Sequence, residues 1–371
     1  MTSNLLSALN QSPYYYFFLV VDDSLRISLP QLKYFTPVNS NQFDNELNSG
    51  KLLSNPKVRD FIETTSKKHH KLPAIIPFKP SAKIDFICKN RNWLKVSNDS
   101  SLNRVIEDKL KFPLICKNHD IPILPFIIDK LNRLSFEKAK NLLGPELIIQ
   151  THFGWAGKST FQADCFDHLK KTIPPDTVVK FSPHLKESYT LLNNCCQTNK
   201  GLIQSPPAVQ FTGIRSLTTN PFSTVGRQWP SFAPPDIIDQ TFKITQKFSD
   251  YLEKKHYKGF FGLDFIVDQN KVYLLECNPR LTASFAFYTQ IELKANLNPL
   301  FLFHLAEFSL KNYLFDITTE QTRFKNPKII GTQLTRRSES GKIDGKYETN
   351  NFIVTSPKNS TIKNEIISKI N

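Results

Sequence analysis

The chain has 371 residues, 40% hydrophobic and 22% charged, a balance that excludes a disordered polypeptide or a small disulfide-stapled scaffold and leaves room for two or three domains. Lys and Arg outnumber Asp and Glu by 48 to 33, a net charge of +15; nucleic acid or a phosphorylated ligand are admissible partners, but the excess is dispersed, with no long basic run interleaved with aromatics, so nucleic acid is not favoured. Six cysteines form neither a CxxC pair nor a zinc-spaced cluster, and no stretch approaches the ~20 apolar residues of a membrane span, so the chain is expected to be cytoplasmic, not membrane-bound, with reduced thiols.

Tyr14–Val21 reads as a buried first strand, stopped at once by Asp22 and Asp23, without the basic flank or cleavage site of a signal peptide. Short strand-like runs at 74–78 and 84–88 alternate with polar helical stretches such as Val58–Lys68, which predicts a small α/β domain over residues 1–100. Residues 101–118 follow a helical pattern, and the Pro-punctuated segment 121–127 should cross over in extended form. A second helix, Ser135–Leu143, has Ser135 as its candidate N-cap and ends at Gly144-Pro145. The strand Glu146–Gln150 runs into the loop Thr151–Ser159, and Val178–Phe181 is a further strand. Strand, glycine-containing loop, strand and helix is the order that a lid over a nucleotide needs, and residues 101–180 are assigned to the linker helix and lid. Beyond it lie strands at 189–196 and 208–212. A helix at 236–256 follows, with Ile237, Ile244, Phe248 and Leu252 as one buried stripe. Residues 181–371 form the last subdomain, ending in a basic extension, Gly331–Asn371, without a motif of its own.

The chemistry concentrates in two strands, Gly259–Val267 and Val272–Arg280, joined by a polar turn. A three-residue connection, Gln269-Asn270-Lys271, would set residue 268 against 272 and therefore Asp264 against Glu276. Directly opposed side chains have Cβ atoms ~4.5–5.5 Å apart, so the two carboxylates repel. Asn278, two residues on, shares the face of Glu276. An apolar strand pair holds like charges face to face when a cation sits between them, and hard oxygen donors suit Mg²⁺ or Mn²⁺. Magnesium favours one or two carboxylates together with substrate phosphates, which points to ATP. Arg280, just past the ligands, carries a guanidinium fork that matches phosphate oxygens.

The run Gly262-Leu263-Asp264-Phe265, followed by Leu275-Glu276-Cys277-Asn278-Pro279-Arg280, resembles the C-terminal signature of the ATP-grasp superfamily, which includes biotin carboxylase, carbamoyl phosphate synthetase and D-alanyl ligases. The resemblance implies an ATP-grasp fold of the α/β (α+β) class: an N-terminal pre-ATP-grasp domain, a small lid and a C-terminal antiparallel-sheet subdomain. It implies that Asp264, Glu276 and Asn278 hold one or two Mg²⁺ ions on the ATP phosphates, with Arg280 near the reacting phosphoryl group. Lys109, in Glu107-Asp108-Lys109 ahead of Asp120-Ile121-Pro122, matches the phosphate-binding lysine. Val179 and Lys180 fall in the hinge that frames adenine, and Glu187, Asn194 and Gln210 where contacts to ribose, metal or substrate are often placed.

Three departures stand out. The lid strand ends in Gln150 where the family usually has lysine; Lys158, with Ser159 beside it in the loop, is the candidate to restore that charge. The hinge carries Lys180 where an acidic residue is common. Gly157-Lys158-Ser159 is not a phosphate-binding P-loop, because the glycine required five positions before Gly157 is His152. The implied activity is a ligase that activates a small carboxylate with ATP and joins it to an amine, or less readily a thiol. The alternative is a catalytically inactive ATP-grasp-fold protein that binds nucleotide or nucleic acid. A homo-oligomer is compatible with either.

Overall fold

The computed structural model describes residues 2–20, 27, 29, 31–43, 48–154, 157, 159–326 and 328–335. Its strands form three sheets. The first is parallel, in the order β2-β1-β3-β4, from β1 (Tyr14–Val20), β2 (Phe35–Asn39), β3 (Leu72–Pro77) and β4 (Leu94–Lys95). A parallel sheet is covered on both faces, which is why β1 is an unbroken apolar run. Phe17, Leu19 and Ile75 face the helices Pro56–Lys68 and Ala82–Asn90, whereas Phe18, Val20 and Ile76 join a core with helices from far along the chain, Phe285–Lys294 and Leu300–Ser309. The helix Ala82–Asn90 replaces the strand expected at 84–88. Ser81 caps it by accepting from the Ile84 amide, and Ile84 and Cys88, four apart, share its buried face.

The second sheet lies in the stretch expected to form the lid and is antiparallel in the order β5-β8-β6-β7: β5 (Ile127–Lys130), β6 (Leu147–Gln150), β7 (Thr160–Ala163) and β8 (Val178–Pro183). Its own core gathers Leu131, Phe136, Ala139, Leu147, Ile149, Val179 and Phe181 under the helix Arg133–Leu143. That helix starts two residues earlier than expected. Asn132 is its N-cap, and Ser135 is the reciprocal partner at the third helical position, each satisfying an amide of the other.

The third sheet is the largest. Its order is β14-β13-β9-β11-β12-β15, with β10 on β9, from β9 (Tyr189–Thr198), β10 (Gly201–Gln204), β11 (Ala208–Thr212), β12 (Thr224–Trp229), β13 (Gly259–Asp268), β14 (Lys271–Asn278) and β15 (Gly331–Leu334). The predicted stripe Ile237, Ile244, Phe248 and Leu252 is buried on the helix Pro235–Lys254, in one core with Leu191, Phe261, Leu263 and Phe265. Phe260, Leu192 and Cys196, on the other face, join the core shared with the parallel sheet. β15 comes from the stretch read only as an extension; it pairs with β12 through Gly331 to Leu334, and the remainder of that extension lies outside the described residues. No helix among the described residues is long and apolar enough to cross a membrane.

Phe285 is the point where the parallel sheet and the large sheet meet. Its ring lies 5.4 Å from Phe18, 6.5 Å from Phe260 and 5.3 Å from Phe301. Phe285→Ala should therefore lower stability by about 3–5 kcal/mol in urea denaturation. A loss below about 1 kcal/mol would show that the two sheets do not depend on a shared core.

Candidate active site

The hairpin forms as expected and Asp264 lies opposite Glu276, but by a different route. The turn has two residues, not three: Gln269, in the left-handed region at φ 52°, and Asn270, so that Asp268 pairs with Lys271. That register alone would bring Asp264 opposite Leu275. A bulge beyond Phe265 skips Leu275, and pairing resumes with Asp264 on Glu276, Leu263 on Cys277 and Gly262 on Asn278. Bulges add one residue to one strand and re-aim the side chains that follow. Here the extra residue restores the opposition of the carboxylates.

Side chains from several elements engage the pair. Lys109 donates to Glu276, from the break between the helices Ser100–Glu107 and Lys111–Asn118, where residues 101–118 were expected as one helical stretch. The break is made by Asp108, whose carboxylate accepts from the Leu110 and Lys111 amides at 2.9 and 3.3 Å and opens the second helix. Asn278 donates to Asp264 at 3.0 Å, and Gln210 of β11 reaches across β9 to the other Asp264 oxygen. Arg280 donates to the Asn278 side-chain oxygen at 2.9 Å and to Glu107 at 2.7 Å, while Lys79, just past β3, holds the second Glu107 oxygen at 2.7 Å. The Phe78 ring lies 5.4 Å from the Arg280 guanidinium. Gly262 must be glycine because the chain after Arg280 crosses it; a Cβ there would stand 2.4 Å from the Thr282 methyl. Asn194, named by the resemblance, sits beneath this crossing and accepts from Thr282 and Ser284, both at 3.2 Å.

Burial raises the Asp264 carboxyl and the facing charge of Glu276 raises it further, to about 7, so Asp264 is the member of the pair pushed toward its protonated form. Burial pushes Glu276 the same way, but the Lys109 ammonium outweighs it and the group stays ionised. Lys109 in turn is raised, because Glu276 outweighs its burial. The oxygen donors fit a hard divalent cation: two carboxylates face one another beside the Asn278 amide, whose oxygen is held by Arg280, and the Glu276 side chain keeps 39% of its surface open while an ammonium already occupies one of its oxygens. Among the described residues, no group of three or more His, Cys, Asp or Glu gathers as a metal cluster.

The lid lies against this site. The Lys109 amide donates to the His152 carbonyl at 2.9 Å, and the His152 ring meets the buried Asp108 carboxylate at 3.0 Å. Ser159 is buried, with its hydroxyl unpartnered among the described residues, and a Cβ on Gly157, at φ 77°, would come within 2.9 Å of Phe222 Cβ. Lys158 lies outside the described residues. Gln150 and Lys180 face each other across β6 and β8, and the Gln150 amide donates to Thr160 at 3.1 Å. Lys180 is buried, and that burial first, then the Lys109 charge, brings its ammonium down to about 8. Val179 turns its side chain into the lid core, which leaves only its backbone to offer a nucleotide. Glu187 is exposed on the turn that joins β8 to β9.

Sequence reasoning missed Arg227 of β12, whose charge is felt by Asp264. A lone arginine in a strand carries no signal. It also missed Lys79, although the order β2-β1-β3-β4 reverses direction between β1 and β3, and the carboxyl ends of such strands are where ligands bind in open α/β sheets.

Residues 106–284 match the family model of the ATP-grasp domain, and this domain of the chain belongs to the ATP-grasp superfamily. The fold is that of N5-carboxyaminoimidazole synthetase from Staphylococcus aureus complexed with ADP, at 14% identity and TM-score 0.56 over 81% of this chain and 78% of that one. It is also that of biotin carboxylase from Campylobacter jejuni in a beta-gamma-ATP complex (11%, TM-score 0.59, 86% and 73%). N5-carboxyaminoimidazole synthase from Aspergillus clavatus, in complex with ADP and 5-aminoimidazole ribonucleotide, is similar at 14%, TM-score 0.55, 80% and 77%. No curated protein matches the chain in sequence.

Replacing Lys109 with Met would leave Asp264 and Glu276 facing each other without their cation. Because Glu276 is 39% open to solvent, the expected loss is about 1–2 kcal/mol, below that of a sealed ion pair. In an Asp264→Asn background the same change should cost less than half as much, by urea denaturation. Equal losses in the two backgrounds would show that Lys109 does not offset the opposed charges.

Proposed function

We propose that the chain is an ATP-dependent ligase that transfers the γ-phosphoryl group of ATP to a substrate carboxylate and joins the resulting acyl phosphate to an amine, or less readily a thiol. The observation that carries this reading is the register of β13 and β14, which holds two carboxylates face to face beside a lysine and an arginine at the mouth of a lidded cleft. The ATP-grasp domain match and the ADP and ATP complexes of the similar structures support it.

Asp264, Glu276 and Asn278 would hold Mg²⁺ or Mn²⁺, which supplies charge neutralisation on phosphate oxygens when bound. Gln210 and Asn278 keep Asp264 in place from either side. Lys109, on a flexible four-carbon stem, can turn from Glu276 to a phosphate oxygen. Arg280 cannot swing freely, because Glu107, Asn278 and the Leu281 carbonyl fix its guanidinium. It is thus a preorganised cation where negative charge develops, which is where fixed charge accelerates transfer most. The loop after β6, with Ser159 and Lys158, would cover the phosphates and exclude water from the acyl phosphate. The Val179 and Lys180 backbone and Glu187, on the turn that leaves the lid, would meet base and ribose. No protein nucleophile is required.

Calorimetry should show ATP binding that strengthens with Mg²⁺ in the wild type and loses that dependence in Asp264→Asn, Glu276→Gln. With ATP and a panel of carboxylates and amines, ADP release should require both co-substrates and fall by at least about 100-fold in Glu276→Gln. Turnover untouched by Glu276→Gln would overturn the assignment, and Mg-dependent ATP binding without ADP release from any pair would favour the catalytically inactive nucleotide binder.

A further inference from the structure

Lys180 is the buried charge that the mechanism above leaves without a task on its side chain. It stands on β8 between Ile128 of β5 and Gln150 of β6. Strand alternation turns Val179 and Phe181 into the lid core and Lys180 to the opposite face, with Ser182. Only 9% of the residue is exposed. Its electrostatic neighbours are Lys109, Glu276 and Cys116, so the ammonium looks across the cleft at the phosphate end of the site. Among the described residues its ammonium forms no ion pair. Glu276 already gives one carboxylate oxygen to Lys109, the Cys116 thiol is buried and pushed up to about 12 by burial, and the facing Gln150 is neutral, its amide nitrogen donating to Thr160. A buried ammonium that has no ion pair and feels the charge of a second ammonium is best offset by an anion between them.

We infer that Lys180 is the lid's ligand for an oxygen of the nucleotide polyphosphate, so that the phosphates are gripped between Lys180 on β8 and Lys109 on the body while Gln150 stays neutral beside them. The inference rests on the nucleotide-site reading. It assigns the Lys180 side chain to phosphate, while the backbone of the same residue stays with the base, and it explains how the lid strand can end in glutamine. Gln150 and Lys180 are cross-strand partners on one face, so a positive charge on either strand reaches the same space.

The test is ADP binding by calorimetry to the full chain in EDTA, which removes the carboxylate metal site from the measurement. Lys180→Met should weaken ADP by at least about tenfold, Lys180→Arg should stay within about threefold of wild type, and Gln150→Lys added to Lys180→Met should regain part of the loss. The melting temperature of ligand-free Lys180→Met should equal or exceed that of wild type, because an uncompensated charge has been removed from the lid. Wild-type ADP affinity in Lys180→Met, or a loss that neither cationic variant repairs, would overturn the inference and leave the nucleotide site standing. A wild-type chain that binds no ADP would instead sink the nucleotide-site reading itself, and this inference with it.

Discussion

Two carboxylates held in register on adjacent strands are the constraint around which the site is arranged. An antiparallel pair brings opposed side chains to within a few ångströms, and at that distance Asp264 and Glu276 cannot both be ionised at little cost without a cation between or beside them. The protein distributes the problem. Asp264 is pushed toward its protonated form and fixed by two amides, whereas Glu276 is ionised and paired with Lys109. The placement of Lys109 follows from this. Its segment interrupts what would otherwise be a continuous helix, and the Asp108 carboxylate that caps the next helix also meets His152 of the lid loop. One short break in a helix thus ties the acidic pair to the lid.

The hairpin shows which parts of this arrangement a sequence can disclose. Asp264, Glu276 and Asn278 stand out because strand periodicity is two and the surrounding residues are apolar, so polar groups on one face are conspicuous. Their opposition was legible, but the path to it was not. The tight turn at Gln269-Asn270 and the skipped Leu275 are one-residue deviations that cancel, and nothing in the composition of either strand separates them from a three-residue turn with none. The run 84–88 failed for a different reason. Five residues with four apolar positions, the first and last of them four apart, fit a short strand or one helical face equally well, and the Ser81 cap decides it. Arg227, the His152–Asp108 contact and the meeting of Phe18 with Phe285 join residues remote in sequence, which no local period reports.

Charge is where local and global readings of the chain meet. A net charge of +15 spread along the sequence says little about a partner. Within the cleft the balance is more informative. Lys79, Lys109, Lys180, Arg227 and Arg280 surround Glu107, Asp264 and Glu276, and of these carboxylates Asp264 is the one pushed toward its protonated form. A site built on an acidic pair is therefore positive as a whole. That reconciles its two tasks in the proposed reaction, since the facing carboxylates suit a divalent ion and the surrounding cations suit a polyphosphate.

The cations are not equivalent, and the difference lies in what holds each one. Arg280 is locked by Glu107, and Glu107 is in turn kept well ionised against its burial by Arg280 and Lys79. This triad joins the parallel sheet, the linker helix and β14, so the geometry of Arg280 is inherited from the body of the protein. Lys109 and Lys180 lie on opposite sides of the lid seam, and the charge of Lys109 lowers the tendency of Lys180 to carry its own. Two like charges across a movable seam oppose its closure until something negative enters. The rigid cation suits the place where charge develops during transfer. The two across the seam suit recognition, because the electrostatic cost of bringing them together is offset only when an anion is bound.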